Sequence, residues 1–234
     1  MLFSGKCGSI ITYNKRLAKK IKKQDSDIKG EPMLMVFTVP TGLLDSNVYV
    51  YRDNDTDKAM IVDCGAPLSD VADVIANNTL DVEFIVLTHG HYDHANFVGE
   101  YVNFFKSAKV ICHEAELDVL SDPYANVSAL LNDPKSYEQN FSTLADNDQL
   151  AVGNTVFRVI HSPGHTPGSM CLYCEKEKIL FTGDVLFNGG IGRTDFKHGS
   201  FSDMRLSLQR LLSLPDNVIF YPGHNSPSTI GMQR

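Results

Sequence analysis

From residue 33 onward, short apolar runs alternate with turn residues. Residues 33–39, 47–51 and 59–62 are β-rich runs separated by Gly, Asp and Asn, the pattern of an antiparallel meander. Residues 69–76 place Val71, Val74 and Ile75 at helical spacing. The string Phe84-Ile85-Val86-Leu87 is apolar throughout, as expected of a strand buried on both faces. A helix is predicted over 97–105 and a strand over 109–112. Residues 113–146 are polar, hold Pro123 and Pro134, and read as helices and loops. Strands follow over 155–160, 170–174 and 178–181. Leu208, Leu211 and Leu212 set a helical register over 204–214, and 218–221 is the last strand. Two runs of strands, each closed by helices, predict an α/β protein with two packed sheets and helices outside, a four-layer αββα sandwich. No repeat and no linker interrupts the pattern, so 31–234 reads as one domain.

Charge divides the chain differently. Residues 1–30 hold eight Lys/Arg against two Asp/Glu, leaving 13 basic and 26 acidic residues in the remainder. The dense basic run at 15–23, with Leu17 and Ile21 four apart, reads as a disordered N-terminal extension. A targeting or membrane-surface helix is the alternative. The acidic remainder repels a phosphate backbone, which argues against a nucleic-acid partner. No apolar run approaches the ~18 residues of a membrane span, so no stable membrane association is expected. No signal-peptide apolar stretch follows the basic run. A cytoplasmic location is therefore expected, with organelle targeting by the extension as the other possibility. The five cysteines, an odd number, read as free thiols. Cys171 and Cys174 sit on a predicted strand, where positions three apart face opposite sides.

The candidate chemistry lies at strand ends. Thr88-His89-Gly90-His91-Tyr92-Asp93-His94 follows the apolar 84–87 run, and His165, Asp184 and His224 each follow a glycine near the end of a later strand. Five imidazoles and two carboxylates suit two divalent metal ions, Zn2+ first, with iron or manganese as alternatives. Asp184, with two oxygens, is the candidate bridge. A metal pair lowers the pKa of bound water to about 7 and supplies a nucleophile without Ser or Cys. His113 and His198 read as ordinary surface histidines. The acidic string Asp53-Asn54-Asp55-Thr56-Asp57 lacks the glycine and glutamate of a calcium loop and reads as a hairpin turn.

These motifs resemble those of the metallo-β-lactamase superfamily. The 88–94 string is similar to its H-x-H-x-D-H signature, and Ser162-Pro163-Gly164-His165-Thr166-Pro167-Gly168-Ser169 to its second histidine motif. The strings Phe181-Thr182-Gly183-Asp184 and Gly192-Arg193-Thr194-Asp195 resemble the glyoxalase II branch. The resemblance implies an αββα fold. It also implies one metal on His89, His91 and His165, a second on Asp93, His94 and His224, and Asp184 as bridge. Asp93 and Asp184 would be the catalytic carboxylates. The implied partner is a small-molecule thioester of the hydroxyacyl-glutathione class, cleaved by a hydroxide held between the metals. Asp184 stands where cysteine-ligand zinc β-lactamases carry Cys, which argues against antibiotic hydrolysis. Ten residues follow His224, where two-domain glyoxalase II enzymes continue into a helical domain, so a single-domain type is expected. The alternatives are an iron-dependent persulfide dioxygenase and a lactonase or phosphodiesterase using the same ligands.

Overall fold

The computed structural model describes residues 11–13, 33–38, 44–53 and 55–234. Its first half forms a seven-stranded sheet, ordered as in the chain: β1 (Ile11–Tyr13), β2 (Met33–Thr38), β3 (Asn47–Arg52), β4 (Lys58–Val62), β5 (Asp81–Val86), β6 (Lys109–His113) and β7 (Ser142–Leu144). The predicted meander is β2–β3–β4, antiparallel throughout, and β4 to β7 continue in parallel. The second half contains β8 (Gln149–Val152), β9 (Thr155–His161), β10 (Met170–Cys174), β11 (Ile179–Gly183), a small hairpin of β12 (Leu186–Phe187) and β13 (Gly190–Ile191), then β14 (Ile219–Pro222) and β15 (Ser228–Thr229). Its six-stranded sheet runs β15-β14-β11-β10-β9-β8, with β11 and β14 parallel. The helices are α1 (Leu68–Asn77), α2 (Tyr92–Ala95), α3 (Val98–Phe104), α4 (Leu117–Ser121) and α5 (Phe201–Leu212).

The period-two alternation of the strands sorts side chains into three buried layers. Tyr49 and Tyr51 of β3 point between the sheets and pack with Phe157, Leu172 and Phe181. Val48 and Val50 point the other way, onto Val71 and Ile75 of α1 and Val98 and Tyr101 of α3. On the far side, Ile160, Leu180 and Phe220 pack against Met204 and Leu211 of α5. Helix, sheet, sheet, helix is the four-layer αββα arrangement predicted. Tyr51 and Phe157 meet edge to face at 4.9 Å across the sheets, a contact worth roughly 0.5–1.5 kcal/mol beyond its burial. Cys171 lies in the outer layer and Cys174 between the sheets, so the pair faces opposite sides; both are free and buried.

Several local expectations change. The helix expected over 97–105 is α3, while a further one-turn helix, α2, begins inside the ligand string and is separated from it at Phe97, φ −105°, ψ 10°. The polar 113–146 segment ends in edge strand β7, and β8 follows without a sequence expectation; at three and four residues, both are too short to set a periodic signal. His113 is buried rather than on the surface, stacked on His161 at 3.9 Å. The Asp53 turn holds: its Oδ1 accepts from the backbone amides of Asp55 and Thr56, both at 3.1 Å. In the basic extension, Ile11–Tyr13 pairs parallel with β2, Ile11 opposite Met35. The remainder of that expected disordered segment lies outside the described residues.

Candidate metal centre

Four loops at one edge of the sandwich carry the seven ligand candidates. Thr88 and His89 follow β5, and the Thr88 amide and hydroxyl donate to the buried Asp63 carboxylate at 2.8 and 2.9 Å. The Met170 amide at the start of β10 donates to the Thr88 carbonyl at 3.0 Å, fastening the first sheet to the second beside the site. His91 precedes α2, whose first turn presents Asp93 and His94. His165 lies in the β9–β10 loop, its Nδ1 2.7 Å from the Arg193 carbonyl. Asp184 follows β11 and His224 follows β14, and the Gly223 amide donates to the Gly183 carbonyl at 2.8 Å. Gly183 has φ +47°, a conformation that suits glycine. A Cβ at Gly223 would stand 2.2 Å from Asp184 Oδ1 and 2.6 Å from His94 Cε1, so the backbone itself walls the cluster.

The structure brings all seven side chains together. Their donor atoms form three groups, His89/His91/His165, His89/His94/Asp184 and Asp93/His94/His224, each within 4.8 Å. Asp184 reaches toward both sides: Oδ1 is 3.3 Å from His94 Nε2, and Oδ2 is 3.5 Å from His165 Nε2 and 3.4 Å from His224 Nε2. His91 Nδ1 and His165 Nε2 approach to 2.8 Å. His89 Nε2, His91 Nε2 and Asp184 Oδ1 are buried without a hydrogen-bond partner. Buried polar atoms are nearly always satisfied. Buried imidazole nitrogens and carboxylate oxygens gathered in three overlapping groups, His89 Nε2 and Asp184 Oδ1 among them without a partner, are the donor set a divalent cation satisfies, so these residues fit the metals that the sequence suggests.

Electrostatics divides the cluster. Burial, then the neighbouring imidazoles, push the pKa of His89 well down and that of His91 to about 3, so both are neutral and free to coordinate. For His224, burial opposes protonation, but hydrogen bonds to Asp184 and Asp93 win and raise it to about 10. His94 is likewise raised against its burial by Asp93, Asp184 and Asp63. Burial pushes the Asp93 and Asp184 carboxyls up, yet His94 and His224 hold both below the ordinary carboxylate range. Without metal, protons on His94 and His224 neutralise the two carboxylates.

Three supporting features escaped the sequence reading. Asp63 accepts a 2.9 Å contact from His94 Nδ1, fixing that ring's tautomer so that Nε2 faces the cluster. The signal was an acid placed directly after the apolar β4. Glu116 is fully buried and accepts from the Gly90 amide at 2.7 Å, the Gly168 amide at 2.7 Å and the Thr166 hydroxyl at 2.9 Å. It thereby braces the loop of His89 and His91 against the loop of His165. Burial lifts its pKa to about 7, against the pull of those three donors. The third feature is an apolar wall. A cavity of about 510 Å³ opens over His91, Asp93, His165, Asp184 and His224, and Leu130, Leu131, Phe187 and Ile191 help line it. His198 is exposed and does not line it.

Comparison with known proteins agrees with this geometry. Residues 41–224 match the family model of the metallo-beta-lactamase superfamily. The crystal structure of BLEG-1 B3 metallo-beta-lactamase superposes with a TM-score of 0.77 at 35% identity, covering 85% of this chain and 95% of that one. TTHA1623 in a di-iron-bound form gives 0.74 at 29% identity, covering 84% and 96%. Hydroxyacylglutathione hydrolase GloC of Haemophilus influenzae is 30% identical over 205 residues, 84% of this chain and 93% of that protein. The chain belongs to the metallo-beta-lactamase superfamily, whose fold binds divalent metals and serves mostly metal-dependent hydrolases. No helix among the described residues is long and apolar enough to cross a membrane.

Proposed function

We propose that the protein is a metal-dependent thioester hydrolase of the glyoxalase II-like type. The composition of the cavity carries this reading. Five of the seven candidate metal donors, His91, Asp93, His165, Asp184 and His224, line it, yet the described residues lining it include no Ser, Thr, Cys or Lys. With the lining carboxylates and imidazoles committed to metal in this reading, the nucleophile is water. The similarity to GloC supports a thioester as the bond cleaved.

In this reading His89, His91 and His165 would hold one ion and Asp93, His94 and His224 the other, with Asp184 within reach of histidines of both groups. Two divalent ions held there would supply a water-derived nucleophile at neutral pH and Lewis-acid polarisation of a carbonyl. Asp93 and Asp184, both lining the cavity, are the catalytic carboxylates that orient the attacking water. Asp63, Glu116 and the Arg193 carbonyl act one step out, holding imidazoles and loops in place. Hydrolysis joins the water oxygen to the acyl carbon, breaks the C–S bond and releases an acid and a thiol.

Metal quantification paired with S-lactoylglutathione turnover tests the proposal. Two zinc equivalents with turnover are expected, and Asp184→Ala or His89→Ala should lower both together. Full activity in a metal-free variant refutes it. The di-iron form of TTHA1623 makes iron the main alternative to zinc. One iron per chain, with oxygen consumption on a persulfide, would instead assign an oxygenase. Lactone, phosphodiester and β-lactam arms complete the panel, the last prompted by the similarity to BLEG-1.

A further inference from the structure

The walls of the cavity carry a second message, which rests on the hydrolase reading above. Its mouth is apolar although it faces water: Leu130 is 60% exposed, Leu131 37% and Ile191 40%. Phe187 and Ile191 come from the β12–β13 hairpin on one side. Leu130 and Leu131 come from a single 3-10 turn, Ser128–Leu131, on another.

That turn is held in place at a cost. Val127 and Asn132, which bracket it, have φ of 61° and 60°. A β-branched residue rarely occupies this left-handed region, and such strain persists only where surrounding bonds impose it. Here they do. The Asn126 side chain donates to the carbonyls of Leu120 and Lys135 at 3.2 and 2.8 Å and accepts from the Ser128 amide at 3.0 Å. The Lys135 amide donates to Ser128 Oγ at 2.9 Å, and the Tyr92 amide in the ligand string donates to the Asn126 carbonyl at 2.8 Å. The two leucines are thus fixed to the metal-ligand loop as a rigid wall.

Charge at the mouth is also spent. Among the described lining residues the one Lys or Arg is Arg193. Its guanidinium is bound in bidentate fashion by Asp195 at 2.6 and 2.8 Å and lies 3.9 Å from the Phe196 ring centre. A glutathione moiety carries two carboxylates, and among the described lining residues no Lys or Arg is left unpaired to meet them.

We infer that the cavity selects thioesters whose acyl group is uncharged and apolar, an alkyl or aryl chain lying along Leu130, Leu131, Phe187 and Ile191, in preference to anionic glutathione conjugates. Each methylene brought against such a wall adds binding energy until the cavity is filled. On half-exposed walls that corresponds to roughly a threefold to tenfold gain in kcat/KM per two carbons.

The test uses the full metal-loaded chain with neutral N-acetylcysteamine thioesters of acetate, butyrate, hexanoate and octanoate, alongside S-lactoylglutathione. The expected result is a kcat/KM that climbs with chain length and exceeds that for S-lactoylglutathione. In Leu130→Ser and Leu131→Ser the octanoyl-to-acetyl ratio should fall several-fold, with thermal melting confirming that both variants fold. A flat chain-length profile, or preference for S-lactoylglutathione over every neutral ester, overturns this inference and leaves the hydrolase reading intact. Cleavage of no thioester at all overturns both.

Discussion

Replacing Glu116 by Gln changes one buried atom and tests whether a side chain outside the ligand set holds the centre together. One carboxylate oxygen accepts from the Gly90 amide at 2.7 Å, and the other accepts from the Gly168 amide and the Thr166 hydroxyl at 2.7 and 2.9 Å. A Gln offers one acceptor and one NH2, so one backbone N–H must face another donor in a fully buried site. An orphaned buried donor costs about 1–3 kcal/mol. Taking about 2 kcal/mol, the midpoint of thermal unfolding should fall by about 4–8 °C in a chain of this size. Gly90 lies between His89 and His91, and Thr166 and Gly168 follow His165. The damage should therefore concentrate on the ion proposed for those three histidines, and on that proposal metal content should drop by about one equivalent. The pH dependence carries an independent signature. Glu116 titrates near 7 in the folded protein against an ordinary 4.5, raised chiefly by burial. The folded state then binds the extra proton between those values, so wild-type stability from this group is fully present at low pH and is lost as pH rises through about 7. Between about pH 5.5 and 7.5 the loss is about 2 kcal/mol. Gln cannot titrate, so the stability gap between wild type and variant should narrow by that amount on raising the pH. Denaturant unfolding of both proteins in chelator measures it, because the remaining groups titrate alike and cancel in the difference. An unchanged melting temperature with full metal content, or a gap independent of pH, would refute the bracing role.

Asp63→Asn should weaken metal binding about 10–100-fold, the usual cost of removing a partner that orients a ligating imidazole, as read by competition with a chromogenic chelator; unchanged affinity would show that His94 needs no such partner. Gly223→Ala puts a methyl 2.2 Å from Asp184 Oδ1, so the carboxylate or the β14 turn must shift. A displacement of about 1 Å costs roughly 10²-fold in rate, and turnover per bound metal should fall accordingly while circular dichroism stays native. Metal uptake should release protons, because His224, at about 10, and His94 are protonated before binding and neutral after it. Calorimetry at pH 8 in buffers of different ionisation enthalpy counts them. A buffer-independent heat would contradict the arrangement, and affinity should weaken as pH falls.

Local pattern by itself determined much of this protein. The β-rich runs 47–51 and 59–62 and the uniform apolarity of 84–87, bounded by turn residues, mark strands through local composition alone. The ligand types in 88–94, with His165, Asp184 and His224 beside glycines, name the chemistry because coordination depends on atom type. Tertiary structure decided what those residues do together. His94 and His224 stand 130 positions apart in sequence, yet their Nε2 atoms lie 3.4 Å apart because β5 and β14 end at the same edge of two packed sheets. Glu116 and Asp63 look like ordinary acids in the chain, and only folding removes them from water and surrounds them with loop amides and a ligand ring. The leucines of 130–131 carry no periodic signal, and their outward pose depends on left-handed Val127 and the Asn126 bonds that hold it. Periodicity and ligand type are properties of neighbouring residues. Convergence, burial and strain arise from contacts between distant ones, which is why the candidate ligands could be read from the string and the shape of their pocket could not.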